Sequence, residues 1–166
     1  MKHLVGRIFV LAATLLCACD GGLQTPMSEA GPRSGPGEDR AQLGRMRSAF
    51  IRAMNEGGVE EWIRSHLDAG VAVMPPEQPT ISSRQEVAVW ARRFLQEHRI
   101  HDFAFTGSKT VTGDWAFENG VYLLESSPSA GGEKQSRRGK AIFIWRRGTD
   151  GWKGTLVSFN FDGYWP

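Results

Sequence analysis

Apolar residues recur first at helical spacing and later in strict alternation. Leu43, Met46, Phe50 and Met54 fall on one helix face, with arginines on the other. Asn55-Glu56-Gly57-Gly58 predicts the end of that helix. A shorter helix follows, with Val59, Trp62, Ile63 and Leu67 on one side, and stops by Gly70. Residues 71–74 (VAVM) predict a short strand, cut by Pro75-Pro76. Ser83-Arg84-Gln85-Glu86 matches a capping box, in which the Ser and Glu side chains satisfy exposed backbone N–H groups. The third helix it opens turns Val87, Trp90, Ala91, Phe94 and Leu95 inward. After that the period drops to two, predicting strands over about 101–112, 115–126, 136–148 and 151–162. Helices first and an antiparallel meander after them predict an α+β domain, one helical layer on one sheet.

The first turn of the meander fixes a register. Gly113-Asp114 suits a two-residue type II′ turn. Thr112 then pairs with Trp115, Lys109 with Glu118, Gly107 with Gly120, Phe105 with Tyr122 and Phe103 with Leu124. Side chains alternate along a strand, so these pairs share one face. Trp115, Phe117, Asn119, Val121 and Leu123 share the other. Glu118 is the one acid within an apolar run, which raises the question of a catalytic base. Such a base needs a pocket that favours its neutral form, whereas a neighbouring lysine favours the charged form. The pattern therefore predicts a cross-strand ion pair worth about 0.2–1 kcal/mol. The facing glycines beside it predict a sharp bend in the sheet. The last two strands join through Gly148-Thr149-Asp150-Gly151.

The N-terminus changes the picture of location and charge. Lys2 and Arg7 precede an apolar run from Ile8 to Leu16, the build of a secretory leader and too short to span a bilayer. Leu16-Cys17-Ala18 before Cys19 resembles the bacterial lipobox, which implies cleavage after residue 18 and lipidation of Cys19. Asp20 resembles an inner-membrane retention signal. The two cysteines are Cys17 and Cys19, so cleavage leaves one and no internal disulfide. The whole chain has 20 basic and 18 acidic residues. Loss of Lys2 and Arg7 leaves 18 of each, so the pI of 8.7 gives no argument for nucleic-acid binding. Residues 20–38, rich in Gly, Pro and Ser, cannot bury enough apolar surface to fold. The expected organisation is a signal peptide over 1–18, a flexible tether over 19–38 and one domain over 39–166.

Three segments, VMPPEQPTISSRQEVAVW, TGDWAFENGVY and RRGKAIFIWRRGTDGWK, resemble the DUF4440 (SnoaL-like) branch of the NTF2-like superfamily. Together they span most of residues 40–162. The resemblance implies a cone, in which a curved antiparallel sheet wraps three helices around a cavity, and a homodimer through the outer face of the sheet. That superfamily holds isomerases, cyclases, dehydratases, hydrolases and non-enzymatic binding modules, so fold alone gives no function. Ketosteroid isomerase uses an Asp base with a Tyr and a protonated Asp as oxyanion donors. The matching positions here carry Phe50, Met74 and Ala141, none of which transfers a proton. The same matching turns Phe117, Asn119 and Val121 toward the cavity and Glu118 outward.

The pocket expected from this resemblance is lined by Phe50, Trp62, Met74, Trp90, Phe117, Asn119, Val121, Phe143, Trp145, Leu156, Ser158 and Asn160. It suits a small apolar or aromatic ligand; the alternative is that these side chains simply fill the core. His98 and His101 have no third ligand nearby, so no metal site is expected, nor any cofactor. The basic residues Arg137, Arg138, Lys140, Arg146, Arg147 and Lys153 read as edge and loop charges, with a membrane-surface contact as the alternative. No nucleophile motif, P-loop or dinucleotide fingerprint occurs, and no residue is identified as catalytic. The sequence thus predicts a membrane-anchored lipoprotein facing the periplasm, with a non-catalytic module that binds a small hydrophobic ligand or a partner protein. The alternative is a SnoaL-like isomerase, dehydratase or hydrolase, with Asn119, Ser158 or Asn160 orienting a small apolar substrate.

Overall fold

The computed structural model describes residues 35–163; the expected leader, Cys19 and most of the expected tether lie outside them. Helix α1 (Pro36–Glu56) starts three residues before the expected boundary at Asp39, with Pro36 at its first turn and Glu38 and Asp39 beside its positive end. It stops at Gly57, and α2 (Val59–His66) follows at once. Strand β1 (Leu67–Met74) ends at the proline pair. Helix α3 (Arg84–Glu97) is capped as the sequence predicts: the Ser83 hydroxyl accepts from the Glu86 N–H at 3.2 Å. Four strands complete the chain: β2 (His98–Thr112), β3 (Trp115–Pro128), β4 (Gln135–Gly148) and β5 (Gly151–Phe161).

The strands form one sheet in the order β1-β5-β4-β3-β2. The meander β2 to β5 is antiparallel, as expected, but β1 pairs with β5 in parallel, so the sheet is mixed. The long connection through α3 and the meander permits this, since parallel neighbours need a crossover rather than a hairpin. The predicted β2–β3 register is the observed one, from Thr112↔Trp115 to Phe103↔Leu124. Gly113 has φ 56°, while Asp114 is not among the positive-φ residues, as a type II′ turn requires.

The facing glycines produce a close approach between β2 and β3. A Cβ on Gly107 would lie 2.2 Å from the Asn119 carbonyl oxygen, and one on Gly120 would lie 2.3 Å from that of Thr106. Only glycine fits there, and the sheet bends over the helices. Buried side chains from all three helices and the inner sheet face make one core, including Leu43, Trp62, Val71, Val87, Phe103 and Trp145. Two polar fastenings hold α1 in place. Asp39 is buried, accepts from the Trp152 indole N–H at 3.2 Å and pairs with Arg147. Asn55 grips the Phe103 backbone with two hydrogen bonds, of 2.9 and 2.7 Å.

Candidate functional site: an aromatic cavity between helices and sheet

Cross-strand pairs share a face, so the register sorts the sheet into rows. One inner row is Lys109–Glu118–Phe143–Val157–Val73. The next is Gly107–Gly120–Ala141–Phe159, and the next Phe105–Tyr122–Gly139–Phe161. The middle row is small over three strands, and helices cannot sink into the space it leaves. A cavity of about 460 Å³ results. Phe50 of α1, Trp62 of α2, and Trp90 and Phe94 of α3 wall it on the helix side. Phe103, Phe105, Tyr122, Phe143, Phe159 and Phe161 wall it on the sheet side. The rings brace one another: Phe50 lies 4.6 Å from Trp62, 5.4 Å from Phe103 and 6.0 Å from Phe143 between centroids.

Polar groups concentrate on the segments that border this apolar space. Glu77 and Gln78 come from the loop after β1, Arg93 and Glu97 from α3, His98 from the start of β2 and Arg137 from β4. Gln78 accepts from the Trp90 indole N–H at 3.0 Å. His98 stacks on Phe94, with centroids 4.6 Å apart, and its Nδ1 lies 3.1 Å from the Phe94 carbonyl. A carbonyl only accepts, so Nδ1 carries a hydrogen, and in the neutral ring it is Nε2 that holds the lone pair. Tyr122 donates its hydroxyl to the Asn160 carbonyl at 2.9 Å. Burial, and then the negative charge of Asp162, push its pKa up to about 12, with Arg137 pulling the other way. Tyr122 is therefore a neutral wall residue at ordinary pH.

Four of the twelve expected pocket residues line the cavity: Phe50, Trp62, Trp90 and Phe143. Seven others share the opposite face. Ser108–Asn119–Ile142–Ser158–Met74 is one row; Thr110–Phe117–Ile144–Leu156–Ala72 is the next; Thr106–Val121–Lys140–Asn160 is a third. Their outward direction is plain from exposures of 40% at Met74, 44% at Phe117 and 48% at Ile142. Met74, Phe117, Asn119, Val121, Leu156, Ser158 and Asn160 are thus corrected together, by one reversal of face. Trp145 faces inward, but it is buried under Trp62 and stacked on Phe143 rather than lining the space.

Glu118 reverses with them: it points inward and is 1% exposed. Its Oε1 lies 3.1 Å from Lys109 Nζ and 3.1 Å from Arg47 Nη1 of α1. Arg47 also donates to the Gly107 carbonyl at 3.0 Å. The cross-strand partner was legible; the helix cation that makes burial tolerable was not. Glu118 does not line the cavity, and it joins α1 to the bend. Of the three ketosteroid-isomerase positions, Phe50 and Ala141 stand in the cavity wall and Met74 is on the outer face. Glu77, Gln78, Arg93, Glu97, His98 and Arg137 are the polar wall residues that the sequence did not place in the pocket. Arg137 shares the inner row of Phe103 and Leu124, so extending the hairpin parity one strand further would have found it. Among the described residues no His, Cys, Asp or Glu cluster could hold a metal ion.

No known family model matches the sequence, and no curated protein does. Solved structures do match. A candidate dehydratase of the NTF2-like family from Streptomyces avermitilis is 26% identical, with TM-score 0.65, over 78% of this chain and all of that one. A ketosteroid isomerase-like protein from Erwinia carotovora atroseptica is 18% identical, with TM-score 0.68, over 76% and 98%. An NTF2-like superfamily protein from Salmonella enterica is 8% identical, with TM-score 0.68, over 80% and 96%. The fold is the NTF2-like cone. Three helices in the hollow of a curved sheet, with a cavity between them, place this chain's aromatic pocket in the space that an NTF2-like cone encloses.

Proposed function

We propose that this chain is an envelope lipoprotein whose NTF2-like domain, of the DUF4440 type, binds a small apolar or aromatic ligand without transforming it. The observation that carries the reading is the cavity of about 460 Å³ walled by aromatic rings on both sides. Cavities of this size bury most of a small ligand's surface. Of the ketosteroid-isomerase positions, Phe50 and Ala141 stand in the wall, and neither transfers a proton. The test is calorimetric titration of the full chain with 2-(1-naphthyl)ethanol, repeated on Ala141→Trp. Binding to the wild type that the variant abolishes, with its melting cooperativity kept, supports the reading. Absence of binding to the wild type refutes it. The anchor would be a lipid on Cys19, holding the domain at the membrane on its periplasmic side. Cys19→Ser would then move the protein from the membrane to the soluble fraction; continued membrane association counts against the anchor.

A second reading, an enzyme of the SnoaL-like kind, has one observation in its favour. His98 lines the cavity with its ring fixed by Phe94 and, in the neutral ring, the lone pair on Nε2, the state a general base needs. Such a base would exchange an acidic C–H proton of a bound ligand with solvent. Deuterium uptake by 1-(1-naphthyl)propan-2-one in D₂O, faster than in buffer alone and slowed to the buffer rate in His98→Gln, would support catalysis. Uptake equal in both proteins would remove His98 from the argument.

A further inference from the structure

Most of the cavity wall is apolar, so the ligand's polar end must lie where the polar side chains stand. Arg137 differs from the neighbouring cations of β4. Arg138 and Lys140 both pair with Asp162, whereas Arg137 has no carboxylate partner among the described residues. Its guanidinium lies over the Phe161 ring, 5.2 Å from the centroid, and one nitrogen donates to Gln135 at 3.0 Å. Stacking on one face and one hydrogen bond at an edge leave the other donors of the planar fork open. Phe161, Tyr122 and Arg137 all line the cavity, so this fork stands beside its aromatic wall.

We propose that the ligand is an amphiphile with a single anionic head, a carboxylate, which Arg137 receives at the sheet side of the cavity while the apolar body fills the aromatic interior. The proposal rests on the binding reading above. Charge-assisted, two-pronged contact with a carboxylate is the interaction an open guanidinium edge makes best. Other charges line the cavity too. Glu77 comes from the loop after β1 and Glu97 from the end of α3, with Arg93 between them in sequence and His98 next to Glu97. If those acids governed recognition, a cationic head would be preferred, so the experiment must compare all three kinds of head.

The probes are 2-(1-naphthyl)acetate, 2-(1-naphthyl)ethanol and 2-(1-naphthyl)ethylammonium, which share one apolar body. Each is titrated calorimetrically into the full chain and into Arg137→Gln, at neutral pH and low salt. The expected result is that the carboxylate binds roughly tenfold more tightly than the alcohol. In Arg137→Gln that advantage disappears, the carboxylate losing far more affinity than the alcohol. Arg137 is exposed, so the variant should keep the wild-type melting temperature. Equal affinities for the three heads, preference for the ammonium, or a carboxylate advantage that survives in Arg137→Gln would each overturn the proposal while leaving a hydrophobic pocket in place. Failure of all three probes to bind the wild type would overturn it together with the binding reading.

Discussion

Glu118→Gln tests how the cone is held together. The substitution keeps the shape of the side chain and removes its charge. In the folded protein that carboxylate is 1% exposed and lies 3.1 Å from each of two cations. At an effective dielectric of about 20, each contact at that distance is worth roughly 5 kcal/mol before desolvation. Desolvation cancels most of this, so the pair adds little over an apolar replacement of both partners. Removing one partner alone is different, because Lys109, with only 10% of its side chain exposed, is left beside Arg47 with no compensating charge. Breaking a buried pair in this way costs about 3–5 kcal/mol. Arg47 keeps its bond to the Gly107 carbonyl and is 26% exposed, which favours the lower end. With a urea slope of about 2 kcal/mol/M, a loss of about 3 kcal/mol moves the unfolding midpoint down by about 1.5 M. Circular dichroism during urea titration reads this directly. Adding Lys109→Met to the variant should recover part of the loss, because it removes the stranded charge. A midpoint shift below about 0.5 M would show that the buried charges do not depend on Glu118 in this way. It would mean that the pair behaves as an exposed cross-strand contact of 0.2–1 kcal/mol, which is all the sequence pattern predicts.

Gly120→Ala places a methyl 2.3 Å from the Thr106 carbonyl oxygen and 2.7 Å from Gly107 Cα, both backbone atoms that cannot turn aside. A loss of about 1–3 kcal/mol is expected in the same urea titration, and wild-type stability would show that the glycine pair does not set the bend. Tyr122 should titrate at about 12 in ultraviolet absorbance after the chain's other tyrosine is removed by Tyr164→Phe. Its folded pKa lies above the unfolded value, so its contribution to stability is complete below about pH 10 and is lost between about 10 and 12. Titration near 10 in the folded protein would contradict its burial. The outer rows expose Trp115, Phe117, Val121, Leu123 and Ile142 together, an apolar face larger than scattered surface residues explain. A second copy of the chain is the proposed cover. Analytical ultracentrifugation should find a dimer that Phe117→Lys with Ile142→Lys converts to a folded monomer; a wild-type monomer at high concentration would count against it.

Most of the fold was legible because local signals were strong. The Ser83 cap, the Pro75-Pro76 break and the Gly113-Asp114 turn each fix an element end through a short-range cause, and the β2–β3 register followed from the turn alone. The parallel docking of β1 against β5 was not legible, since α3 and three strands lie between them and no local residue encodes the pairing. The site failed for a different reason. Alternation divides Phe105 and Tyr122 from Phe117 and Val121 correctly, yet both sets are apolar, so hydrophobicity cannot say which set meets the helices. The family matching then chose the wrong set, turning Phe117, Asn119 and Val121 inward and Glu118 outward. Its burial depends on Arg47, seventy-one positions away, and that is a tertiary fact.

The cavity itself follows from what stands between the aromatic rows. Gly107, Gly120 and Ala141 form one row, and Gly139 lies in the next, beneath Tyr122. A Cβ on Gly139 would come within 2.5 Å of the Tyr122 hydroxyl oxygen, so the phenol lies flat along the sheet, and its hydroxyl reaches the Asn160 carbonyl instead of the cavity. The aromatic side chain best placed to put a hydroxyl into the cavity is thereby turned into another apolar surface. The rings around the empty row hold one another apart at centroid spacings of 4.6–6.4 Å, which keeps the space from collapsing. An apolar interior with charged side chains along its border can distinguish ligands by head group only at that border. A ligand must then bind apolar end first, and its affinity and its selectivity come from different residues. Changes to Phe50, Phe105 or Phe143 should alter binding of every naphthyl compound alike, whereas changes at Arg137 should alter chiefly the ranking of heads.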